Sequence, residues 1–473
     1  VMRIKKEVRK IVASVLAFLM VVSLIPVNSL MTKANAASKT TFEGGKTVED
    51  GTWKGWTWNV FGSSTDVTKA FATDTGNGEV TGDKGKINGS ASDQGLNTFL
   101  YELDKSYDFT ITAQAKVDTL AANAQAAFGL TIRDNVGTHG NTAKLTADKN
   151  NFAFVGGYGN QAASGHGNAG YKTTALAHTR LGESPEVGGT YDLAIQKVGD
   201  SVKLYFNGEV AAECSADDLI TDNAMYVGLF AARNAKVTFN NVKLAYTQDS
   251  SSVKVTTNVT APKKTTYCAG NTYEDVDLTG FKATVSVDGK EREITASDCV
   301  VDMSNDPFAE VTDAGKLNLL YLGQTIEVPI TVIKEVVSDM YIEYMPVKTD
   351  YMVTDTALDF TGLVGKVVYN SGRTFDLKTL IDSNDTNTKV SDVDFTTAGN
   401  KEVTVSHTYG DVTKEVVIPI SVSDATVKNI TITSPNTTRF YTDTEYDADA
   451  YVEGLTITAD YSDGSAKVIQ GTD

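Results

Sequence analysis

The sequence predicts an all-β protein in which a large jelly-roll sandwich precedes a tandem array of smaller sandwiches. Three observations carry this. Phe109, Ile111, Ala113, Ala115 and Val117 recur at every second position, which turns one face of a strand toward a core. Three segments headed by Pro262, Pro346 and Pro435 repeat one another, 84 and 89 residues apart, and such periods mark repeated modules. No convincing helical period competes beyond the N-terminus, apart from a short alanine-rich patch at 121–127. The 473 residues are 41% hydrophobic and 22% charged, a folded composition with room for roughly three domains. The formal net charge of −18 excludes a nucleic-acid-binding protein, which needs a basic face.

Residues 1–36 come first. Arg3, Lys5, Lys6, Arg9 and Lys10 precede the uncharged apolar run 11–25, and Ala34-Asn35-Ala36 closes the segment. That three-part pattern is a secretory signal peptide, with cleavage expected near Ala36. A membrane anchor is the alternative, but fifteen residues of helix reach only about 22 Å of a roughly 30 Å hydrocarbon core. The mature chain is expected to be secreted or held at the bacterial surface, with no membrane span. Cys214, Cys268 and Cys299 are too few for a disulfide scaffold, although Cys268 and Cys299 could pair.

Residues 40–247 hold all three tryptophans. Phe128, Leu130 and Ile132 alternate, as do Val202, Leu204 and Phe206, which run into Asn207-Gly208, a hairpin turn signal. Tyr226, Gly228 and Phe230 lead toward Arg233. About 200 residues of strands with glycine-rich loops form a large sandwich. Residues 253–333, 337–423 and 427–473 are the three repeats. In the first two, Pro-x4-Tyr is followed by Asp277-Leu-Thr-Gly280 or Asp359-Phe-Thr-Gly362. Ala283, Val285 and Val287 end in Asp288-Gly289, and Ile457, Ala459 and Tyr461 in Asp463-Gly464. The third repeat is expected to be half a sandwich, the front of a longer or truncated protein, because one sheet cannot bury its own apolar face.

The repeat pattern resembles bacterial Ig-like domains of the group 3 type. The run Tyr191 to Gly208, with Trp58-Asn-Val-Phe61, Ala127 to Asp134 and Val227 to Asn234, resembles the concanavalin or laminin-G-like sandwich of secreted bacterial pectate lyase and pectinesterase-type proteins. The resemblance implies an N-terminal concanavalin-like jelly roll followed by tandem Ig-like sandwiches, and a plant-type glycan such as pectin as ligand.

No catalytic set stands out. Glu445-Tyr-Asp447-Ala-Asp449 is the nearest match to a paired-carboxylate strand, and a solvated acidic loop explains it better. His139, His166, His178 and His407 form no His-Glu-x-x-His, and no cysteine pair has metal spacing. The chain is therefore expected not to be an enzyme. No cofactor is expected; a structural calcium is the alternative, though no Asp-x-Asp-x-Asp-Gly loop exists.

Sugar rings are held by aromatic faces, with planar polar groups fixing hydroxyls. The expected ligand-binding residues are Trp56, Arg133, Asp134, Tyr158, His166, Tyr171, Arg180, Arg233 and Asn234, on an open, ring-accepting surface. Trp56 and Trp58 are equally readable as core. Arg133 and Arg233, each at a strand end, suit a fork for hydroxyls or carboxylates; an internal Arg133–Asp134 pair stapling loops is an equal reading. The glycine-rich loop 155–189 carries Tyr158, His166, Tyr171 and Arg180 and reads as a binding rim. The expected role is a non-catalytic polysaccharide-binding module on Ig-like spacers, with a surface glycan or the cell wall as partner. The alternatives are a surface adhesin or stalk without a glycan site, and the front of a polysaccharide lyase.

Overall fold

The computed structural model describes residues 46–62, 70–72, 76–82, 85–87, 95–121, 126–136, 151–158, 168–173, 179–181, 185–439, 441–443, 445 and 447–470. The residues ahead of Lys46, including the expected signal peptide, lie outside them. No helix among the described residues is long and apolar enough to cross a membrane. The chain forms two compact units, one running to Val332 and the other from Ile333 to Asp473, with 268–270 counted in the second.

The first sandwich contains, among the described residues, strands β1 (Lys46–Thr47), β2 (Thr57–Gly62), β3 (Ala70–Ala72), β4 (Gly78–Gly82), β5 (Gly95–Asp104), β6 (Asp108–Leu120), β7 (Ala127–Arg133), β8 (Phe152–Tyr158), β9 (Ala169–Lys172), β10 (Thr179–Leu181), β11 (Thr190–Val198), β12 (Ser201–Phe206), β13 (Glu209–Ser215), β14 (Ala224–Ala232) and β15 (Ala235–Thr247). They make an eight-stranded sheet, β1-β2-β5-β14-β7-β8-β9-β10, and a seven-stranded sheet, β13-β12-β11-β6-β15-β4-β3. The core between them takes Phe99, Leu130 and Leu229 from the first sheet and Phe109, Ile111, Val202 and Phe239 from the second. The all-β class and the large sandwich read from the alternation therefore hold.

The first repeat follows with β16 (Lys254–Thr260), β17 (Thr266–Cys268), β18 (Lys282–Val287), β19 (Lys290–Thr295), β20 (Val300–Asp302), β21 (Thr312–Tyr321) and β22 (Gln324–Ile333). The second has β23 (Val337–Tyr344), β24 (Asp350–Met352), β25 (Val364–Tyr369), β26 (Thr374–Asp376), β27 (Thr388–Val390), β28 (Gly399–Tyr409) and β29 (Val412–Ser423). Each pairs a three-stranded sheet with a four-stranded one: β16-β18-β19 with β17-β22-β21-β20, and β23-β25-β26 with β24-β29-β28-β27. In the third, β30 (Val427–Thr433), β31 (Thr456–Tyr461) and β32 (Ala466–Gln470) form one three-stranded sheet. Met340 on β23 is 6% exposed, whereas Ile430 and Ile432 on β30 are 58% and 65% exposed.

The repeated motif is a structural lock. Lys264 Nζ lies 4.5 Å above the Tyr267 ring and Lys348 Nζ 4.6 Å above Tyr351. The tyrosine hydroxyls accept the backbone N–H of Asp277 at 3.3 Å and of Asp359 at 3.0 Å. Those carboxylates in turn accept from Thr279 N at 2.9 Å and Thr361 N at 2.8 Å. One lysine, one phenol and one Asx turn thus close each loop. Cys214, Cys268 and Cys299 form no disulfide, so the Cys268–Cys299 pairing that the sequence left open is not made; the Cys299 thiol donates to Thr295 O at 3.6 Å.

The first repeat packs on the outer face of the seven-stranded sheet. Thr112 Oγ1 donates to Ser297 O at 2.7 Å, and Leu322 N donates to Thr110 Oγ1 at 3.1 Å. The Tyr273 hydroxyl donates to the Asp192 carboxylate. Ala194, Tyr205 and Val300 form a small apolar cluster with Leu320 against it. The Asn207-Gly208 turn sits at this seam, with φ of 50° and 82°. A side chain at Gly208 would stand 2.5 Å from Val301 O, so the turn needs glycine for backbone angle and for closeness of approach.

Candidate ligand-binding face

The outer face of the eight-stranded sheet carries Arg133 and Tyr158, two of the residues that sequence reasoning singled out, and the backbone position of Arg180. Antiparallel register sets its rows. Glu102, Tyr226, Arg133, Phe152 and Lys172 align across β5, β14, β7, β8 and β9. The next row is Leu100, Gly228, Thr131, Phe154, Gly170 and, by backbone pairing, Arg180. Then come Thr98, Phe230, Gly129 and Gly156, followed by Ala232, Ala127 and Tyr158. Successive residues of a strand alternate faces, so Leu130, Ile132, Ala153 and Val155 point the other way, into the core.

This face is not open. Phe152, Phe154 and Phe230 are 0% exposed and Tyr158 1%. With Ile87, Leu96, Ala127 and Ala232 they form a second apolar cluster, and Val136 packs against it. The expected ring-accepting surface is therefore sealed there. Glu102 and Lys172, at the two ends of the first row, are half-buried.

Arg133 and Asp134 form the polar end of the face. Arg133 is wholly buried. Its Nε donates to Asn135 O at 3.2 Å, and its guanidinium lies 5.2 Å above the Phe152 ring. Burial lowers the guanidinium to about 10, with Asp134 opposing the shift. Asp134, 2% exposed, accepts from Asn151 N at 3.0 Å and from Thr221 Oγ1 at 3.2 Å. Its own N–H donates to Asn151 O at 3.2 Å. One carboxylate thus ties the end of β7 to the start of β8 and to the approach of β14. Burial raises it to about 7, against Arg133 and the hydrogen bonds from Asn151 and Thr221, with Asp222 adding to the rise. Asp134 thus staples these loops through Asn151 and Thr221, while the Arg133 Nε bonds Asn135 O.

An acid held at about 7 when folded and near 3.8 when unfolded lets the folded state keep its proton after the unfolded state has lost it. Stability is then fully present below pH 4 and declines as pH rises through 7. Urea unfolding is expected to show that decline in the wild type and to lose it in Asp134→Asn.

The other expected residues are scattered. Trp56 is 4% exposed, with its ring centroid 5.0 Å from Trp53, 5.2 Å from Phe99 and 5.9 Å from Tyr101. It fills the core and offers no face to a sugar. Trp58 is half-buried and stacks on Phe99 at 4.3 Å. Tyr171 pairs with Ala153 on the core side and packs against the core, not on the outer face. Tyr158 belongs to the sealed cluster. His166 lies outside the described residues, as does the Arg180 side chain. Arg233 and Asn234, both at φ 58°, make the turn between β14 and β15; Arg233 is half-buried and Asn234 exposed. Arg133 pairs with Tyr226 near the start of β14. Arg233 is seven residues further along, about 23 Å at strand rise, so the two arginines cannot make one fork.

Sequence reading missed Glu102, Tyr226, Phe152 and Lys172. For Phe152 the signal was the apolar run Phe152-Ala-Phe-Val, which marks a strand buried on both faces. Glu445, Asp447 and Asp449 are exposed: Asp447 accepts from Asp449 N and Ala450 N at 3.1 and 3.4 Å and caps the short helix Ala448–Val452. Among the described residues, no three His, Cys, Asp or Glu side chains come together as a metal-ligand set.

No family model matches the chain. It is similar to pectate lyase L of Thermoclostridium stercorarium, 28% identical over 425 residues, which is 87% of this chain and 32% of that protein. The chain thus spans about a third of the length of the curated relative it matches. Among solved structures it is similar to the carbohydrate-binding module CBM66 from Bacillus subtilis, at 17% identity and TM-score 0.24 over 40% of this chain and 94% of that one. It is also similar to lectin I-B4 from Griffonia simplicifolia, at 9% identity and TM-score 0.28 over 41% and 93%.

Proposed function

We propose that the chain is the non-catalytic, polysaccharide-binding part of a secreted bacterial protein that acts on pectin-type polymers. The similarity to pectate lyase L along 87% of the chain carries this reading. The two complete repeats and the third sheet are Ig-like spacers in it, with the first also buttressing the sandwich. The glycan contacts are assigned to the rim of the eight-stranded sheet: Lys172 on β9, Arg180 on the edge strand β10, and Arg233 and Asn234 at the far turn. Local cations of this kind hold uronate carboxylates despite a net charge of −18, because salt screens the distant acids beyond about 8–10 Å.

A second reading, a structural stalk without a glycan site, draws support from the sealed aromatic face and from the repeat packed on the opposite sheet. Affinity electrophoresis of the intact chain through gels of polygalacturonate, galactan and β-glucan separates the two. Retardation in the pectic gel, weakened by Arg233→Gln, is expected. Unretarded migration in every gel would leave the stalk.

A further inference from the structure

We propose that the chain Tyr369–His407–Thr388–Asp385 is an acid-released clasp between the two sheets of the second small sandwich. His407 stands on β28 of the four-stranded sheet and is 1% exposed. Its Nε2 lies 2.7 Å from the hydroxyl of Tyr369 on β25 of the three-stranded sheet. Its Nδ1 lies 2.8 Å from Thr388 Oγ1 on β27. The Thr388 hydroxyl donates to Asp385 Oδ2 at 2.8 Å, so its oxygen is left to accept. That assigns the neutral imidazole proton to Nδ1, and Nε2 accepts the phenol proton of Tyr369.

A second proton on the ring breaks this order. Nε2–H would turn Tyr369 into an acceptor, and the phenol proton would lose its acceptor in a side chain only 5% exposed. A buried donor without a partner is costly. The titratable and charged groups that face the imidazole are few. Asp385 Oδ2, from the turn after the helix Leu377–Asp382, is 3.7 Å from Nδ1. Tyr369 comes from β25, Tyr409 lies on the same strand as His407, and Lys414, the cross-strand partner of His407 on β29, is half-buried. Behind Tyr369, the Arg373 guanidinium is engaged by Glu335, with Nε to Oε1 at 2.8 Å. Burial lowers the imidazole below its ordinary value, with Asp385 opposing. Stability is therefore fully present above the unfolded value near 6.5 and is lost as pH falls toward the folded one. The clasp belongs to the second repeat: the same place in the first repeat's hairpin holds Leu319, buried and apolar.

Hydrogen exchange of the intact chain tests this, with peptides spanning 364–369 and 399–409 followed from pH 7.5 to 5.0 and corrected for intrinsic rates. Opening of the second sandwich is expected to rise by up to about tenfold per pH unit below 6.5, while His407→Gln, whatever its baseline stability, shows no such slope. A flat wild-type profile, or the same slope in both proteins, overturns the proposal. Imidazole nitrogen NMR of the wild type is the independent check. His407 is expected to stay neutral and Nδ1-protonated below pH 6.5, and a midpoint at or above 6.5 would also overturn it.

Discussion

Trp56→Ala is expected to remove about 3–5 kcal/mol of folding stability, the range for truncating a buried indole. Its ring meets Trp53, Phe99 and Tyr101, and a side chain at Gly228 would stand 2.9 Å from its edge. Nothing in that nest can move in to fill the space without breaking another aromatic contact. A sugar-stacking tryptophan behaves in the opposite way: its loss abolishes binding and leaves unfolding unchanged. Chemical unfolding of the variant beside a binding assay distinguishes the two. Stability within 1 kcal/mol of wild type would return Trp56 to the list of ligand contacts.

Gly129→Ala should be worse tolerated still. Gly129 sits at φ 146°, and its cross-strand partner Gly156 at φ 148°. A methyl group on Gly129 would stand 1.9 Å from Val155 O, a backbone atom of the neighbouring strand. The backbone angle costs about 1–3 kcal/mol for any other residue, and forcing the strands apart adds about 1–3 more. The expected result is a sandwich that fails to fold or melts well below wild type by circular dichroism. Gly188→Ala is the control: it lies in a turn with nothing within 4 Å of the added carbon, so only the backbone strain remains.

The sequence made the seven-stranded sheet easier to read than the eight-stranded one, and the reason is burial. On β6, Phe109 to Val117 alternate with partly wet neighbours such as Gln114 and Lys116, so the period was visible. On β7, β8 and β14 nearly every residue is buried on one side or the other. A strand covered on both faces loses its alternation, which is why Phe152 and Phe154 gave no hint of which way they point. Arg133 was legible as lying opposite Leu130 and Ile132, but its depth was not, because what covers an outer face depends on segments distant in sequence. The two arginines appeared equivalent since each ends an apolar strand; antiparallel pairing of β7 with β14 places them at opposite ends. The Pro-x4-Tyr repeat was visible because its lock is local, a lysine, a phenol and an Asx turn within about 20 residues.

The most direct measurement is depletion of the intact chain from solution by de-esterified pectin beads, run in parallel with a Lys172→Gln, Arg233→Gln double variant at low and at physiological salt. Saturable uptake of the wild type that weakens with salt and falls at least tenfold in the double variant, with unchanged unfolding curves, is the expected result. Equal uptake of both proteins would contradict the rim assignment, and no uptake of either would contradict polysaccharide binding itself.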